Sequence, residues 1–199
     1  MKTAFEEMIA LRRTVRRFKQ EPVERGVLRA LVEAARLHPS AGNKQPLVFI
    51  AVDDPEKVKA ITSNLKFGAY LPPEKKPTLE EAPTAHIVIG VRKELAIAET
   101  PRDVGAAAMT LLLGACAHQL GGCWLRTVNI PKVARILELD ETVEIDSVIS
   151  LGYPAEAPQA VPMGGDDFKY WLDESGVLNV PKRPEGKTLF LNGFLRDWS

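Results

Sequence analysis

The stretch DVGAAAMTLLLGACAHQLGG, residues 103–122, constrains the fold of this chain more than any other. It is apolar on nearly every side, and a helix without a polar face belongs in the middle of a core. Small residues recur within it at 105–108 and 114–117, where they would allow close packing against another helix or a flat ligand. The pattern predicts one long central helix that ends at the Gly-Gly pair 121–122.

Short buried strands and amphipathic helices alternate irregularly around this helix. Strands are predicted for LVFIAV (47–52), AHIVIGV (85–91), the segment that CWL (123–125) begins, and VEIDSVISLGYP (143–154). Helices are predicted from residue 4 to about 12, over 24–37, after a cap at Asp53 or Asp54, and in IPKVARILEL. The mixture predicts an α+β fold, with one domain over residues 1–199.

Two proline-rich segments stand apart from this pattern. Residues 65–83 have no clear period, which indicates a surface excursion or a lid. Residues 155–199 are only patchily apolar, so they are expected to form an extended arm that cannot make its own core. An arm of this kind commonly packs on a partner subunit.

Composition and motifs exclude several classes of protein. Lys plus Arg equals Asp plus Glu, 26 each, which gives no support to a general role on nucleic acid or a membrane surface. Two cysteines and three histidines provide neither a disulfide framework nor a metal-ligand pattern. Glu6 and Glu7 stand where a signal peptide needs apolar residues, and no run approaches a membrane span, so a cytoplasmic protein is expected. The chain has no Gly-x-Gly-x-x-Gly after a strand, no Walker lysine loop and no Gly-x-Ser-x-Gly elbow.

The segment LRRTVRRFKQEPV (11–23) concentrates four arginines in six positions of this neutral chain. Three interpretations are open: a solvated face, a nucleic-acid patch, or an anion site. If the segment is extended, Arg12, Thr14 and Arg16 point to one side and form a guanidinium–hydroxyl–guanidinium face. Such a face suits phosphate oxygens, because charge-assisted hydrogen bonds to guanidinium forks are strong.

Two other segments carry polar groups suited to a ligand. The loop HPSAGNKQP (38–46) combines donors and acceptors with a flat apolar surface, a mixture that could meet a heterocycle, although taken alone it is better explained as a loop that terminates a helix. The segment VPKRP (180–184) holds a basic pair that, taken alone, is no more than exposed charge.

Together these stretches resemble the nitroreductase family of flavin enzymes. RRTVRRFKQEPV followed by LVEAARLHPSAGNKQPLVFIAV is similar to the opening of that family, and DVGAAAMTLLLGACAHQLGGCW is similar to its long central helix and next strand. VISLGYPAEAP resembles its late strand and turn, and YWLDESGVLNVPKRP resembles the C-terminal segment of a short subgroup. Each motif is loose alone, but the four occur in the family's order.

The resemblance implies a mixed, largely antiparallel central sheet flanked by helices, a domain-swapped C-terminal arm, and a tightly held FMN. Contacts to the FMN phosphate and flavin edge would come from Arg12, Arg13, Thr14 and Arg16, and the phosphate site would be completed by Lys182 and Arg183. The loop would reach the flavin from the other subunit through Pro39, Ser40, Ala41, Asn43 and Gln45. An obligate homodimer with two FMN sites at its interface is therefore implied, and Arg17 is left as a surface residue.

The same resemblance assigns parts of the chemistry. Arg16 would face the flavin edge that becomes negative on reduction, and a backbone N–H in the turn Leu125–Thr127 would approach flavin N5. A glycine is usual in the family where Arg126 stands, so Arg126 is either a plain surface residue or a selector of an acidic substrate or of the NADPH phosphate. No side chain is identified as an essential general acid or base.

The implied function is hydride transfer from NADH or NADPH, by a ping-pong scheme through FMN, to an electron-poor small molecule such as a nitroaromatic, quinone or enone. Three alternatives remain. The chain could use flavin for dehalogenation, flavin breakdown or oxidation of a ring in a modified peptide; it could be a non-catalytic flavin carrier; or it could bind nucleic acid through the arginines.

Overall fold

A four-stranded antiparallel sheet lies at the centre of the computed structural model, which describes residues 1–196. Its strands are β1 (Leu47–Val52), β2 (Ala85–Arg92), β3 (Gly121–Leu125) and β4 (Val143–Gly152), in the order β1-β2-β4-β3. Val88 of β2 lies between Ile50 of β1 and Val148 of β4, and Ile149 of β4 pairs with Trp124 of β3. The apolar runs therefore form the predicted strands, but the prediction that 47–52 is a buried strand is wrong: β1 lies at the edge of the sheet, and Val52 is its one buried residue.

Helices cover both faces of this sheet. They are α1 (Ala4–Leu11), α2 (Arg25–Ala35), α3 (Pro55–Thr62), α4 (Thr100–Ala117) and α5 (Ile130–Ile136). One apolar core lies between the sheet and α2 with α4, and a second lies between the other face and α3 with α5. This α+β arrangement confirms the predicted fold class.

The central helix ends earlier than predicted. α4 stops at Ala117, and the backbone N–H of Leu120 closes it by donating to the carbonyl of Ala115. Gly121 and Gly122 instead begin β3. Gly121 is needed because a Cβ there would lie 2.7 Å from the Cβ of Val15, so its role is a close approach between segments and not a helix stop.

The arginine segment, for which the sequence allows an extended segment or a turn, is extended and lies along β3. Thr14 forms a parallel bridge with Gly122, and the Val15 N–H donates to the Gly122 carbonyl at 3.1 Å. Val15 and Phe18 are buried, and Phe18 packs against Gly152 at the end of β4. These two apolar anchors fix the position of the arginines between and beside them.

The C-terminal region has more structure of its own than an extended arm. Within 155–196 it forms a small sheet of β5 (Gln159–Pro162), β6 (Trp171–Leu172) and β7 (Leu178–Lys182), in the order β5-β7-β6. β7 pairs in parallel with β5 and antiparallel with β6. Packing of this region on a partner subunit stays a prediction. The 65–83 segment is a surface connection, as expected, whose only helical parts are two single 3₁₀ turns.

Candidate functional site

Three of the four clustered arginines have no acidic partner. Within residues 1–196, no salt bridge involves Arg12, Arg13 or Arg16. Arg12 is half-buried, and its Nε atom is buried without a hydrogen-bond partner. Burial, and then the neighbouring charge of Arg13, lower the pKa of Arg12. A cluster of this kind can receive an anion, because the chain itself does not compensate its charge.

Arg17 differs from its neighbours. Its Nε, which like that of Arg12 is buried without a hydrogen bond, lies 3.1 Å from the Glu81 carboxylate, and its NH2 donates to the Lys75 carbonyl at 2.7 Å. Its side chain is only 20% exposed. The expectation of a surface residue is therefore wrong: Arg17 ties the 65–83 segment to the arginine segment.

Arg16 lies at the wall of a cleft of about 330 Å³ that the 65–83 segment encloses. Lys66, Phe67 and Lys76 line the same cleft, and no acidic residue of the described chain does. The Glu156 carboxylate lies beside the backbone of Arg16 and Arg17, where it accepts hydrogen bonds from their N–H groups. The cleft is therefore cationic, with one aromatic wall.

The turn after β3 lies next to this cleft. Lys66 N–H donates to the Thr127 carbonyl at 3.2 Å, which joins the turn to the 65–83 segment. Leu125 is buried, whereas the backbone N–H groups of Arg126 and Thr127 have no acceptor in the described part of the chain. The Arg126 side chain lies 3.6 Å from the Asp146 carboxylate, so it has an ion-pair partner of its own.

The loop of residues 39–45 is held on the N-terminal end of α4. The Ser40 hydroxyl and the Ala41 N–H both donate to the Asp103 carboxylate, at 2.7 and 3.2 Å, and the Gln45 N–H donates to the Ser40 hydroxyl. Pro39, Asn43 and Gln45 are exposed. No hydrogen bond or ion pair between described residues joins this loop to the arginines of its own chain.

The sequence interpretation missed Asp103, which is buried and positions this loop. Its only signal was an acidic residue at the start of an otherwise apolar helix. Lys182 and Arg183 lie at and just after the end of β7, both exposed, and Arg183 lies 3.4 Å from the Asp166 carboxylate. In the described chain no hydrogen bond links this basic pair to the arginine segment, so its place at a phosphate stays a prediction.

The titratable group buried most deeply is His86, on β2. Its ring contacts the Ser150 and Thr62 hydroxyls at 3.1 and 3.0 Å, and burial lowers its pKa to about 4. It is a neutral core residue. Among residues 1–196, no three His, Cys, Asp or Glu side chains are grouped to hold a metal ion, and none of the helices is long and apolar enough to cross a membrane.

Several known proteins are similar to this chain in sequence or in fold. A Thermus thermophilus protein named NADH dehydrogenase is 31% identical over 175 residues, covering 73% of this chain and 84% of the relative. An iodotyrosine deiodinase of Haliscomenobacter hydrossis is 30% identical over 172 residues, covering 73% of this chain and 77% of the relative. The crystal structure of a Desulfovibrio desulfuricans protein in complex with FMN has a TM-score of 0.67 and 25% identity, covering 83% of this chain and 94% of that one.

The model of one family matches residues 9–153, and it is described as the nitroreductase family. That range contains the arginine segment, the four strands of the central sheet and the helix α4. The chain belongs to the nitroreductase family.

Proposed function

We propose that this protein is an FMN-dependent oxidoreductase that takes hydride from NADH or NADPH and reduces an electron-poor small molecule, such as a nitroaromatic, quinone or enone. The observation that carries the proposal is the set of arginines without acidic partners, Arg12, Arg13 and Arg16, beside β3. FMN has a phosphate dianion and a ring edge that gains negative charge on reduction, so it needs cations at two places.

The residues present fit that cofactor. Arg12 and Arg13 would bind the phosphate, where the buried Nε of Arg12 would gain the acceptor that it lacks. Thr14 would add a hydroxyl donor, and Lys182 and Arg183 would complete the phosphate site. Arg16 would face the ring edge, since its guanidinium has no carboxylate partner in the described chain.

The turn Leu125–Thr127 would orient the flavin ring. The N–H groups of Arg126 and Thr127 are free to donate, and the adjoining segment holds the turn in place. The ion pair with Asp146 favours the plain surface role for the Arg126 side chain over a contact with cofactor or substrate.

A homodimer would complete the site. α1 has no buried residue, and large apolar side chains remain exposed on it and near the 39–45 loop: Phe5, Leu11 and Leu37 are 60%, 74% and 72% exposed. Burial of these side chains by a second copy would be favourable. It would also bring the 39–45 loop of each subunit to the FMN of the other, and the 155–196 part of the predicted arm would pack across the interface; residues 197–199 lie outside the described residues.

FMN, when bound, accepts hydride at N5 and passes it on. The cleft beside Arg16 would hold the nicotinamide and then the acceptor in turn, because about 330 Å³ suits one small ring system at a time. A ping-pong scheme follows. Lys66 and Lys76 would favour acceptors that carry a carboxylate.

Dehalogenation is the second candidate, because the chain is 30% identical to an iodotyrosine deiodinase over 172 residues. Flavin breakdown and a non-catalytic flavin carrier are further alternatives. All of these share the proposed FMN site and differ in what reduces the flavin and what consumes the hydride.

The test is the visible spectrum of the purified protein, followed without oxygen as NADH and then NADPH are added. A flavin spectrum that bleaches is expected, and the better donor is the one that bleaches it faster. A flavin that neither nucleotide bleaches would favour the carrier or the alternative chemistries. A colourless protein that FMN cannot reconstitute would contradict the proposal.

A further inference from the structure

An aromatic ring covers the guanidinium of Arg16. Tyr170, between β5 and β6, has its ring centroid 4.6 Å from the Arg16 Cζ. This distance is typical of a cation–π contact. The C-terminal region therefore reaches the residue that is proposed to face the flavin edge.

The Tyr170 ring is itself held in place by the 65–83 segment. The Tyr70 ring packs edge-on against it with centroids 5.1 Å apart, and the Tyr70 N–H donates to the Tyr170 hydroxyl at 3.3 Å. The Phe168 ring packs against Tyr70, with the two ring centroids 6.1 Å apart. Two separate surface segments thus fix the ring over Arg16.

A ring holds a cation differently from a carboxylate. An ion pair would restrict the guanidinium but would also cancel its charge toward any other anion, whereas an aromatic face restricts it and leaves the charge in place. The Glu156 carboxylate accepts hydrogen bonds from the Arg16 and Arg17 backbone N–H groups through Oε1, and it forms no salt bridge with the Arg16 guanidinium. Among the described residues this guanidinium is therefore held by an aromatic ring and not by a carboxylate.

We propose that Tyr170 is a positioning residue that holds Arg16 at the flavin edge and so stabilises reduced FMN relative to oxidised FMN. This inference rests on the proposed function, because it requires FMN beside Arg16. It concerns the reduction potential of the cofactor, which the family relationship does not fix.

The test compares the affinity for oxidised FMN, measured by flavin fluorescence quenching, with the midpoint potential of the bound FMN. Tyr170→Leu and Tyr170→Gln remove the ring, whereas Tyr170→Phe keeps the ring and loses only the hydroxyl. Phe168→Leu is the matched control, because the Phe168 ring packs on Tyr70 and the described cation–π contact of Arg16 is with Tyr170. The ring-free variants should weaken binding of reduced FMN about three- to tenfold more than binding of oxidised FMN. A tenfold difference is a potential about 30 mV more negative for a two-electron couple. Tyr170→Phe, which loses the hydroxyl that accepts from the Tyr70 N–H, should shift this ratio by less than the ring-free variants, and Phe168→Leu should leave it unchanged.

Two further results distinguish an effect that Tyr170 exerts through Arg16 from a general disturbance of the structure by the substitution. In an Arg16→Gln background, Tyr170→Leu should have no further effect on the ratio, because the two residues act as one unit. An unchanged potential in both ring-free variants, or equal shifts in Tyr170→Leu and Phe168→Leu, would overturn the inference while leaving the FMN site intact. Failure of the wild-type protein to bind FMN would instead overturn the proposed function.

Discussion

Arg12 should stabilise the FMN complex and not the fold itself. Arg12→Met keeps an aliphatic stem for packing and removes a guanidinium whose Nε is buried without a partner. Loss of a charge-assisted hydrogen bond costs about 1.5–3 kcal/mol, and ~1.4 kcal/mol is a factor of ten in affinity. The Kd for FMN is therefore expected to rise about 10- to 100-fold.

Arg12→Met should alter the Tm of the FMN-loaded protein and the Tm of the apo-protein differently. FMN at a thousand times its Kd adds about 4.1 kcal/mol to the free energy of unfolding, and after a 100-fold loss of affinity it adds about 1.4 kcal/mol. Since 1 kcal/mol moves the Tm of a chain of this size by about 2–4 °C, the FMN-loaded variant should melt about 5–11 °C below the loaded wild type. The apo-protein should melt at the same temperature or higher, because the variant removes a desolvated cation beside Arg13.

Thermal melts of apo- and FMN-loaded protein, with FMN titrations, measure both effects. Arg17→Met is the matched control: it breaks the contacts with Glu81 and the Lys75 carbonyl, so it should lower the apo Tm and change the Kd for FMN by less than about twofold. If Arg12→Met lowers both melting temperatures equally and leaves the Kd for FMN unchanged, Arg12 is a packing residue and the reasoning is refuted.

Three other predictions concern the scaffold. Gly121→Ala should lower the free energy of unfolding by about 1–3 kcal/mol and also weaken FMN binding, because the new Cβ would displace Val15 and the arginines beside it. Denaturant unfolding measures the first effect and FMN titration the second. A loss of stability with unchanged FMN binding would contradict the proposed connection between Val15 and the FMN site. His86 has a pKa of about 4 in the fold against 6.5 ordinarily, so the unfolded chain binds the proton first and stability falls as pH falls from 6.5 to 4. Protonation of His86 should lower the free energy of unfolding by about 3 kcal/mol over this pH range. In urea unfolding, His86→Gln should remove this pH dependence, and an unchanged dependence of the unfolding free energy on pH would show that other groups cause it. Ending the chain before Tyr170 should convert a dimer to a monomer in light scattering, and a dimer that survives the deletion would exclude the arm as its main contact.

Local patterns were sufficient to predict most of the secondary structure. The Thr3–Glu6 capping box begins α1, Asp54 caps α3, and β1 has the predicted bounds. The end of α4 was predicted wrongly, because a Gly-Gly pair is also the local signal of a helix C-terminus. The real constraint on Gly121 is its contact with Val15, more than a hundred positions away in the chain, and periodicity contains no information about such a contact.

In the candidate site, too, local patterns were predictable and contacts between residues distant in the chain were not. The concentration of arginines could be identified from the sequence, which left an extended segment or a turn open, and the residues that contact them could not be identified. Asp103 holds Ser40, Glu81 holds Arg17, and Tyr170 covers Arg16, each across 60 residues or more of chain. Contacts of this range depend on how the sheet and the two surface segments are arranged, so they require the fold itself.

The partition of the four arginines is the strongest argument for a ligand. Arg17, the one to which the family resemblance gives no role, is the one that has a carboxylate partner and a backbone acceptor. Arg12, Arg13 and Arg16 have no acidic partner in the described chain, although acidic and basic residues are equal in number over the whole sequence. A half-buried cation without a partner lowers the stability of the empty protein, so a cluster of them is best explained by an anion that binds there. The balance of charge over the chain therefore does not argue against an anion site, because the surplus is local to one extended segment.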